Sequence, residues 1–196
     1  MLLCLPSHTT VSFAATLLLA PHIEIGILSG LILSLAFLIY RSMTPRVALL
    51  GRHPDGTWRD ADRFRLAPPH PRLIILRFDG PLHFVNAATF EDAVLDATRR
   101  HPQLQVLLLA CAGINDMDAS GVDTLRRIHR QFHEAGHTLA CCGLKKQVID
   151  VLERTGLWAE LGPHAAYRNE DDALPRLLPS LGAPPPPPAP RRGLEW

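Results

Sequence analysis

The stretch that decides the fold reads Asp116-Met117-Asp118-Ala119-Ser120-Gly121-Val122-Asp123, and it joins a strand-like run to an amphipathic helix. Before it, residues 105–112 form an apolar run short enough for a strand buried on both faces. After it, apolar residues recur at helical spacing, namely Val122, Leu125, Ile128 and Phe132. The acidic Ser-Gly turn is therefore predicted to lie at a strand-to-helix junction, where free helix N–H groups favour an oxyanion such as phosphate.

Length and charge set the broad class of the protein. A chain of 196 residues predicts one globular domain with appendages. The formal net charge is +1 and no block of lysine and arginine is present, so no nucleic-acid partner is predicted. The four cysteines, Cys4, Cys111, Cys141 and Cys142, lack the spacing of a disulfide framework or a zinc site. We interpret the last three as reduced core residues, which favours a cytosolic setting for the domain.

A membrane segment is predicted over residues 9–41. Residues 11–40 contain a single formal charge, Glu24. A straight helix of that length would measure about 45 Å, which exceeds a hydrocarbon core of about 30 Å. A break near 21–24, at Pro21, is therefore expected, giving one or two helices. The piece over 25–40 is the better candidate to span the membrane.

A cleaved signal peptide is the alternative interpretation of this segment. No basic residue precedes the apolar run, and Arg41, Arg46 and Arg52 follow it without an Ala-x-Ala-like cleavage site. Basic residues directly after a span indicate that the downstream part is cytoplasmic. The expected location is thus the inner (plasma) membrane, in contact with lipid, with the following domain in the cytoplasm.

Residues 42–71 are predicted to form a connector, in which 58–60 and 64–66 add a short edge strand. Residues 72–180 are predicted to form the folded domain, because apolar runs alternate there with amphipathic segments. Strands are predicted at 73–78, 82–85, 105–112 and 138–144. Helices are predicted from the N-cap Asn86 to Arg100, from the Ser120 turn to the C′ glycine Gly136, and over 145–155 and 169–178. This alternation predicts a mainly parallel or mixed sheet covered by helices.

The last segment, 181–196, is predicted to be a disordered, Pro-rich tail in the polyproline II conformation. A ligand for a proline-binding module is the alternative interpretation of this tail.

The order of elements and the turn Asp118-Ala119-Ser120-Gly121 resemble the STAS domain, the module shared by SulP-type anion transporters and bacterial anti-sigma-factor antagonists. In the antagonists a similar Asp-Ser-Ser-Gly signature carries a phosphoacceptor serine, and Ser120 occupies that place. The resemblance implies an α/β fold with a STAS-type mixed β-sheet flanked by helices, preceded here by a membrane helical segment.

Residues 18–28, 40–41 and 46–52 resemble the last membrane helices of a SulP transporter and the stretch that leads into its STAS domain. Residues 77–82 and 84–87 resemble its opening strands. This resemblance implies the C-terminal part of a SulP-type inorganic anion (sulfate-like) transporter, with the STAS domain regulatory or assembly-related. The anion site of that fourteen-helix family lies between helices absent from this sequence, so the chain alone is expected not to transport.

The alternative function is a membrane-tethered signalling module of the anti-sigma-factor-antagonist type, switched by phosphorylation of Ser120. The expected partners under the two hypotheses are the remaining transporter helices or another transporter subunit, a regulatory protein or Ser/Thr kinase, and a second copy in a homodimer.

Ser120 itself has two interpretations. In the first, Asp118 or Ser120 simply caps the helix, which stabilises it by about 1 kcal/mol. In the second, phosphorylation adds roughly two negative charges beside Asp116, Asp118 and Asp123. The helix terminus would favour that phosphate, whereas the carboxylates would oppose it.

Other chemistry is not predicted. The three aspartates lack the glycine and distal glutamate of an EF-hand, so they are interpreted as solvated turn residues. His129, His133 and His137 recur at four-residue steps, and a surface stripe is favoured over a metal site because no cysteine joins them. No nucleophile-base pair or Gly-rich phosphate loop is found, so we predict no enzyme, no cofactor and no metal.

Overall fold

A computed structural model of the chain describes residues 23–182 and, before them, Thr10, Val11, Phe13 and Ala14. The predicted break at Pro21, the residue Cys4 and the predicted tail beyond Gly182 lie outside the described residues. The chain divides into two units, 1–44 and 45–196, which are described in turn.

The first described element is helix α1 (Ile23–Met43). Its 21 residues give a length of about 31 Å, which matches the hydrocarbon thickness of a bilayer. Charges are confined to its ends, with Glu24 in the first turn and Arg41 in the last. Large apolar side chains stand exposed along it, for example Leu31 at 64% and Leu38 at 63%. Glu24–Met43 is thus apolar and long enough to cross a membrane.

The second unit is built on a mixed five-stranded sheet in the order β2-β1-β3-β4-β5. Its strands are β1 (Arg46–Arg52), β2 (Trp58–Asp60), β3 (Leu73–Asp79), β4 (Val106–Ala110) and β5 (Thr138–Cys142). Strands β3, β4 and β5 are parallel, whereas β1 runs antiparallel to both of its neighbours. The predicted mixed sheet is therefore confirmed.

Helices cover both faces of this sheet. They are α2 (Ala61–Phe64), α3 (Ala87–Arg100), α4 (Ala119–Glu134), α5 (Lys146–Arg154), α6 (Leu157–Leu161) and α7 (Glu170–Leu177). Helices α3, α4, α5 and α6 bury their apolar residues in one core, and α7 with the following 3-10 turn (Leu178–Leu181) closes the other. Burial on both faces explains why β4 and the first four residues of β3 are continuous apolar runs rather than alternating ones.

Helix α4 confirms the periodicity that predicts it, because Val122, Leu125, Ile128 and Phe132 are all buried. It ends before Gly136, whose φ of 73° fits the predicted C′ position. Helix α3 likewise buries Phe90, Val94 and Ala97 as expected.

The predicted connector is wrong over Arg46–Arg52, which forms β1 between β2 and β3. An arginine at each end and Gly51 interrupt its apolar pattern, so the strand depends on pairing with the distant β3. The short edge strand is confirmed at Trp58–Asp60. The prediction of strand at 64–66 is wrong, because Phe64 ends α2 and Arg65 has a left-handed φ of 52°.

The predicted strand over 82–85 is also wrong. Of its four residues, only Leu82 forms a bridge, to Met117, and the side chain of Phe84 is 72% exposed. The apolar residues at 82–85 thus belong to a loop, and this loop contributes to the site described below.

Replacing Phe90 by alanine tests the core beneath α3. The Phe90 ring is fully buried and meets Phe78 edge-on, with ring centroids 5.2 Å apart. We expect Phe90→Ala to lower the free energy of unfolding by about 3–5 kcal/mol, because the lost contacts leave a cavity. Urea unfolding of the full chain in detergent, followed by circular dichroism, measures the change. Leu95→Ala, at a 41% exposed position of the same helix, is the control. An equal decrease in the free energy of unfolding in both variants would contradict the packing of Phe90 against Phe78.

Candidate functional site

The Ser120 corner comprises the loop 80–86 after β3, the loop 111–118 after β4, and the first turn of α4. Because β3 and β4 are parallel neighbours, both loops leave the sheet at the same edge. Leu82 joins them through its backbone: its N–H donates to the Asp116 carbonyl at 2.9 Å, and its carbonyl accepts from the Asp118 N–H at 3.2 Å. The predicted strand-to-helix junction is thereby tied to a second loop from elsewhere in the chain.

Gly121 allows the helix to approach this loop closely. A Cβ atom at this position would lie 2.3 Å from the Leu82 carbonyl oxygen. Gly113 is similarly constrained, because its Cβ would lie 2.5 Å from the Phe78 carbonyl oxygen. The glycine of the Ser-Gly turn is therefore required by backbone packing, and a larger residue would push the two loops apart.

The Asp118 carboxylate binds the first turn of α4 and the loop 80–86. Its Oδ1 accepts a hydrogen bond from the Gly121 N–H at 2.8 Å, which caps α4. Its Oδ2 accepts from the Phe84 N–H at 2.9 Å. Partial burial opposes ionisation, but these hydrogen bonds outweigh it, so the pKa of Asp118 lies below its ordinary value. We call this pair of hydrogen bonds the Asp118 clamp.

Asn86 precedes α3 as predicted, but its side chain does not cap that helix. Instead its Oδ1 accepts from the His83 N–H at 3.0 Å, and its Nδ2 donates to the Pro81 carbonyl at 2.9 Å. The residue is only 1% exposed. Asn86 therefore shapes the loop that carries Phe84.

Ser120 lies exposed in the first turn of α4. Within residues 23–182 its hydroxyl has no hydrogen-bond partner, and Asp118 serves as the cap. The exposed Asp116 approaches His83, with Oδ2 and Nε2 3.3 Å apart, and the exposed Asp123 pairs with Arg126 at 3.3 Å. The structure thus brings the five predicted residues of the motif to one corner and leaves the serine hydroxyl accessible.

Sequence reasoning missed two contributors to the corner. Phe84 was assigned to a strand, yet its ring is the most exposed large apolar side chain among residues 45–182. Asn115 binds the start of α5, because its side-chain oxygen accepts from Lys145 Nζ and its carbonyl accepts from Gln147 Nε2 at 2.8 Å. The only sequence signal for these contacts is an asparagine that follows a buried strand.

The remaining candidate groups do not join the corner. Cys111, Cys141 and Cys142 are buried free thiols, which confirms their assignment as reduced core residues. The neighbouring Cys141 and burial raise the pKa of the Cys111 thiol, and burial raises that of Cys142, so both stay protonated. Among the described residues no group of three side chains has the geometry to hold a metal ion.

The predicted histidine stripe is only partly a surface feature. His133 is exposed, but His129 and His137 are half-buried. The rings of His129 and His133 stack with their centroids 6.4 Å apart.

The chain is similar to known proteins over most of its length. The STAS domain family matches residues 66–173. Probable sulfate transporter 4.2 of Arabidopsis thaliana is 29% identical over 163 residues, covering 78% of this chain and 24% of the relative. Sulfate anion transporter 1 of Homo sapiens is 31% identical over 194 residues, covering 76% of this chain and 27% of the relative. The chain therefore spans about a quarter of the length of the curated relatives it matches.

Solved structures show the same fold. The inward-facing murine Solute Carrier 26 family member A9 anion transporter superposes with a TM-score of 0.72 at 16% identity, covering 83% of this chain and 27% of that one. A sulfate transporter family protein from Wolinella succinogenes superposes with a TM-score of 0.53 at 22% identity, covering 64% of this chain and all of that one.

Replacing Asp118 by alanine tests the clamp. We expect Asp118→Ala to lower the free energy of unfolding by about 1–2 kcal/mol at neutral pH, because α4 loses its cap and the Phe84 N–H loses its acceptor. Since the folded state holds the pKa of Asp118 low, the stability contributed by the carboxylate is present above its unfolded pKa and is lost as pH falls through the folded value.

The difference between wild type and Asp118→Ala should therefore shrink in acid, as measured by urea unfolding across a pH series. Asp123→Ala, which removes an exposed ion pair from the same helix, should cost less than about 1 kcal/mol. A constant difference between wild type and Asp118→Ala down to the most acid pH would contradict the role of the carboxylate.

Proposed function

Because the chain belongs to the STAS domain family, we propose that it is the C-terminal part of a SulP-type inorganic anion transporter, with sulfate as the expected substrate class. The observation that carries this proposal is the direct succession of a helix able to cross a membrane and a STAS sheet. Helix α1 ends at Met43 and β1 begins at Arg46, so only Thr44 and Pro45 lie between them. The sulfate transporters named above are similar over three quarters of the chain.

In this proposal the STAS domain regulates or assembles the transporter rather than forming the permeation path. Sites of such transporters form near the bilayer midplane between discontinuous helices that face one another. Among the described residues, α1 is the one helix suited to span a membrane. Residues 45–182 instead form a sheet whose two faces are filled by apolar cores. The remaining transporter helices, from the same or another subunit, would supply the anion site.

The proposed location is the inner (plasma) membrane with the STAS domain on the cytoplasmic side. Arg41, Arg46 and Arg52 follow the apolar stretch of α1, and an excess of basic residues marks the cytoplasmic flank of a span. In this proposal the corner binds a partner, since it presents the Ser120 hydroxyl, the Phe84 ring and carboxylates at the surface.

Uptake of radiolabelled sulfate tests this function. Deleting the gene in the cell of origin is expected to reduce uptake severalfold, and the intact gene should restore it. A Gly121→Val allele should fail to restore uptake, since the added side chain would collide with Leu82. An Arg99→Gln allele, altered at an exposed site on α3, should restore it fully. The purified 196-residue chain alone in liposomes should give no uptake above protein-free liposomes. Unchanged uptake after deletion would refute the proposal.

A second candidate function is favoured by the exposure of the unpartnered Ser120 hydroxyl. Here the chain is a membrane-tethered module of the anti-sigma-factor-antagonist type, and a Ser/Thr kinase phosphorylates Ser120 to release a regulatory partner. The phosphate would lie at the N-terminus of the 16-residue helix α4, which favours negative charge, beside Asp116, Asp118 and Asp123, which oppose it. The modified corner would therefore differ strongly in charge from the unmodified one.

Phosphorylation at this site has a direct readout. Mass spectrometry of the chain isolated from its own cells should find phosphate on Ser120, and Ser120→Ala should abolish it. Ser120→Glu and Ser120→Ala should also differ severalfold in the amount of partner recovered by crosslinking. Gln103→Glu, which adds a charge at an exposed site before β4, should behave as wild type. Absence of phosphate together with equal recovery from all variants would reject the switch.

A further inference from the structure

A cavity of about 700 Å³ lies beside the C-terminal half of α4, separate from the Ser120 corner. It is bounded by α4, by the edge strand β5, and by the 3-10 turn Gly162–Ala165 that follows α6. Its lining is rich in nitrogen-bearing side chains, namely Arg126, His129, Arg130, His133, His137 and His164. No feature of the STAS fold described above requires such a concentration of basic side chains around one cavity.

The two arginines that line the cavity differ in their partners. Glu160 is the one carboxylate among the described lining residues, and Arg126 already neutralises it, with Nε 3.0 Å from Oε1. Arg126 also donates to the Thr155 carbonyl at 2.7 Å. Arg130, by contrast, forms no ion pair or hydrogen bond within the described part of the chain. Among the described lining residues, Arg130 is therefore the guanidinium left to pair with an anion, whereas Arg126 is shared between Glu160 and Asp123.

Two buried ring nitrogens also lack partners. The Nδ1 atoms of His129 and His137 are both inaccessible to solvent and have no hydrogen-bond partner among the described residues. Buried polar atoms in native proteins nearly always find a partner, and these two nitrogens have none among the described residues. Because both atoms are inaccessible, an ion in the cavity reaches them only when the rings turn toward it. Both histidines line the cavity.

These groups select an anion rather than a metal. Guanidinium groups cannot ligate a cation, and the described residues contain no metal-binding cluster. An arginine with protonated imidazoles instead offers several charge-assisted donors to tetrahedral oxygens. We propose that this cavity binds an oxyanion of the sulfate or phosphate class, held chiefly by Arg130 with the rings of His129 and His133. This proposal does not depend on the transport function.

Binding in this cavity is coupled to pH. Burial, together with His133 and His164, lowers the pKa of His129, although Glu160 acts in the opposite direction. The other charged or titratable groups that face it are Arg126, Arg130 and His137. With the cavity empty, His129 is therefore predominantly neutral at physiological pH. A bound dianion favours the imidazolium form, so the complex takes up protons and binding tightens as pH falls.

Sulfate is the primary probe, because its charge stays constant between about pH 6 and pH 8. Thermal unfolding of the full chain in detergent is measured against increasing sodium sulfate, at ionic strength held constant with sodium chloride. Saturable stabilisation gives an apparent Kd. We expect this Kd to be roughly tenfold lower at about pH 6 than at pH 8, because a histidine gains a proton in the complex.

Arg130→Gln should weaken binding by roughly tenfold, as expected for a lost charge-assisted hydrogen bond, and His129→Gln should reduce its pH dependence. Arg130 is exposed and His129 is only half-buried, so thermal unfolding without sulfate should show both variants folded. Arg99→Gln, at an exposed arginine on α3, is the matched control and should bind sulfate as wild type does. Glycerol 3-phosphate serves as a second probe: tighter binding than sulfate identifies a phosphate ester as the source, and weaker binding identifies the free anion.

Non-specific stabilisation by sulfate would give a different result. Sulfate stabilises many proteins weakly by exclusion from their surface, without saturation. A shift that rises without saturation and is the same in wild type, Arg130→Gln and Arg99→Gln would overturn the proposal.

Discussion

Two hydrogen bonds to one carboxylate organise the functional end of this domain. Asp118 caps α4 through the Gly121 N–H and holds the Phe84 N–H of a loop that lies far away in sequence. Gly121 makes this possible, because a side chain there would collide with the Leu82 carbonyl. The orientation of the exposed Phe84 ring and the accessibility of Ser120 both follow from this clamp. The Ser-Gly turn thus connects α4 to the loop 80–86, and this connection fixes the position of Ser120.

The domain has a packed interior and a chemically varied surface. Its thiols are buried and protonated, and each core face of the sheet is filled by packed apolar residues. Two surface features of the described residues differ in chemistry: an acidic corner with a serine and a phenylalanine, and a cavity lined by arginines and histidines. Under the two proposals, the first feature binds a protein partner and the second responds to anion and pH. The two can be altered by separate substitutions.

The sequence predicts elements whose signal is local. Helix α4 and strand β4 follow from the spacing of their own apolar residues, and the buried positions agree. Strand β1 was missed because Gly51 and the terminal arginines break its pattern, and its glycine is needed where Leu66 packs against the strand. The contact between Phe84 and Asp118 spans 34 residues, so no local pattern reveals it. The motif residues could be named from sequence, whereas the loop that completes their site could not.

Amide hydrogen exchange at Phe84 and Gly121 measures the clamp most directly, because both N–H groups donate to the same carboxylate. If Asp118 joins the two loops, both amides are protected in the native chain with similar opening free energies. In Asp118→Ala both should then exchange at least roughly tenfold faster, while amides of β4 stay protected. A Phe84 amide that exchanges like an unprotected one in the wild-type chain would contradict this structure of the corner.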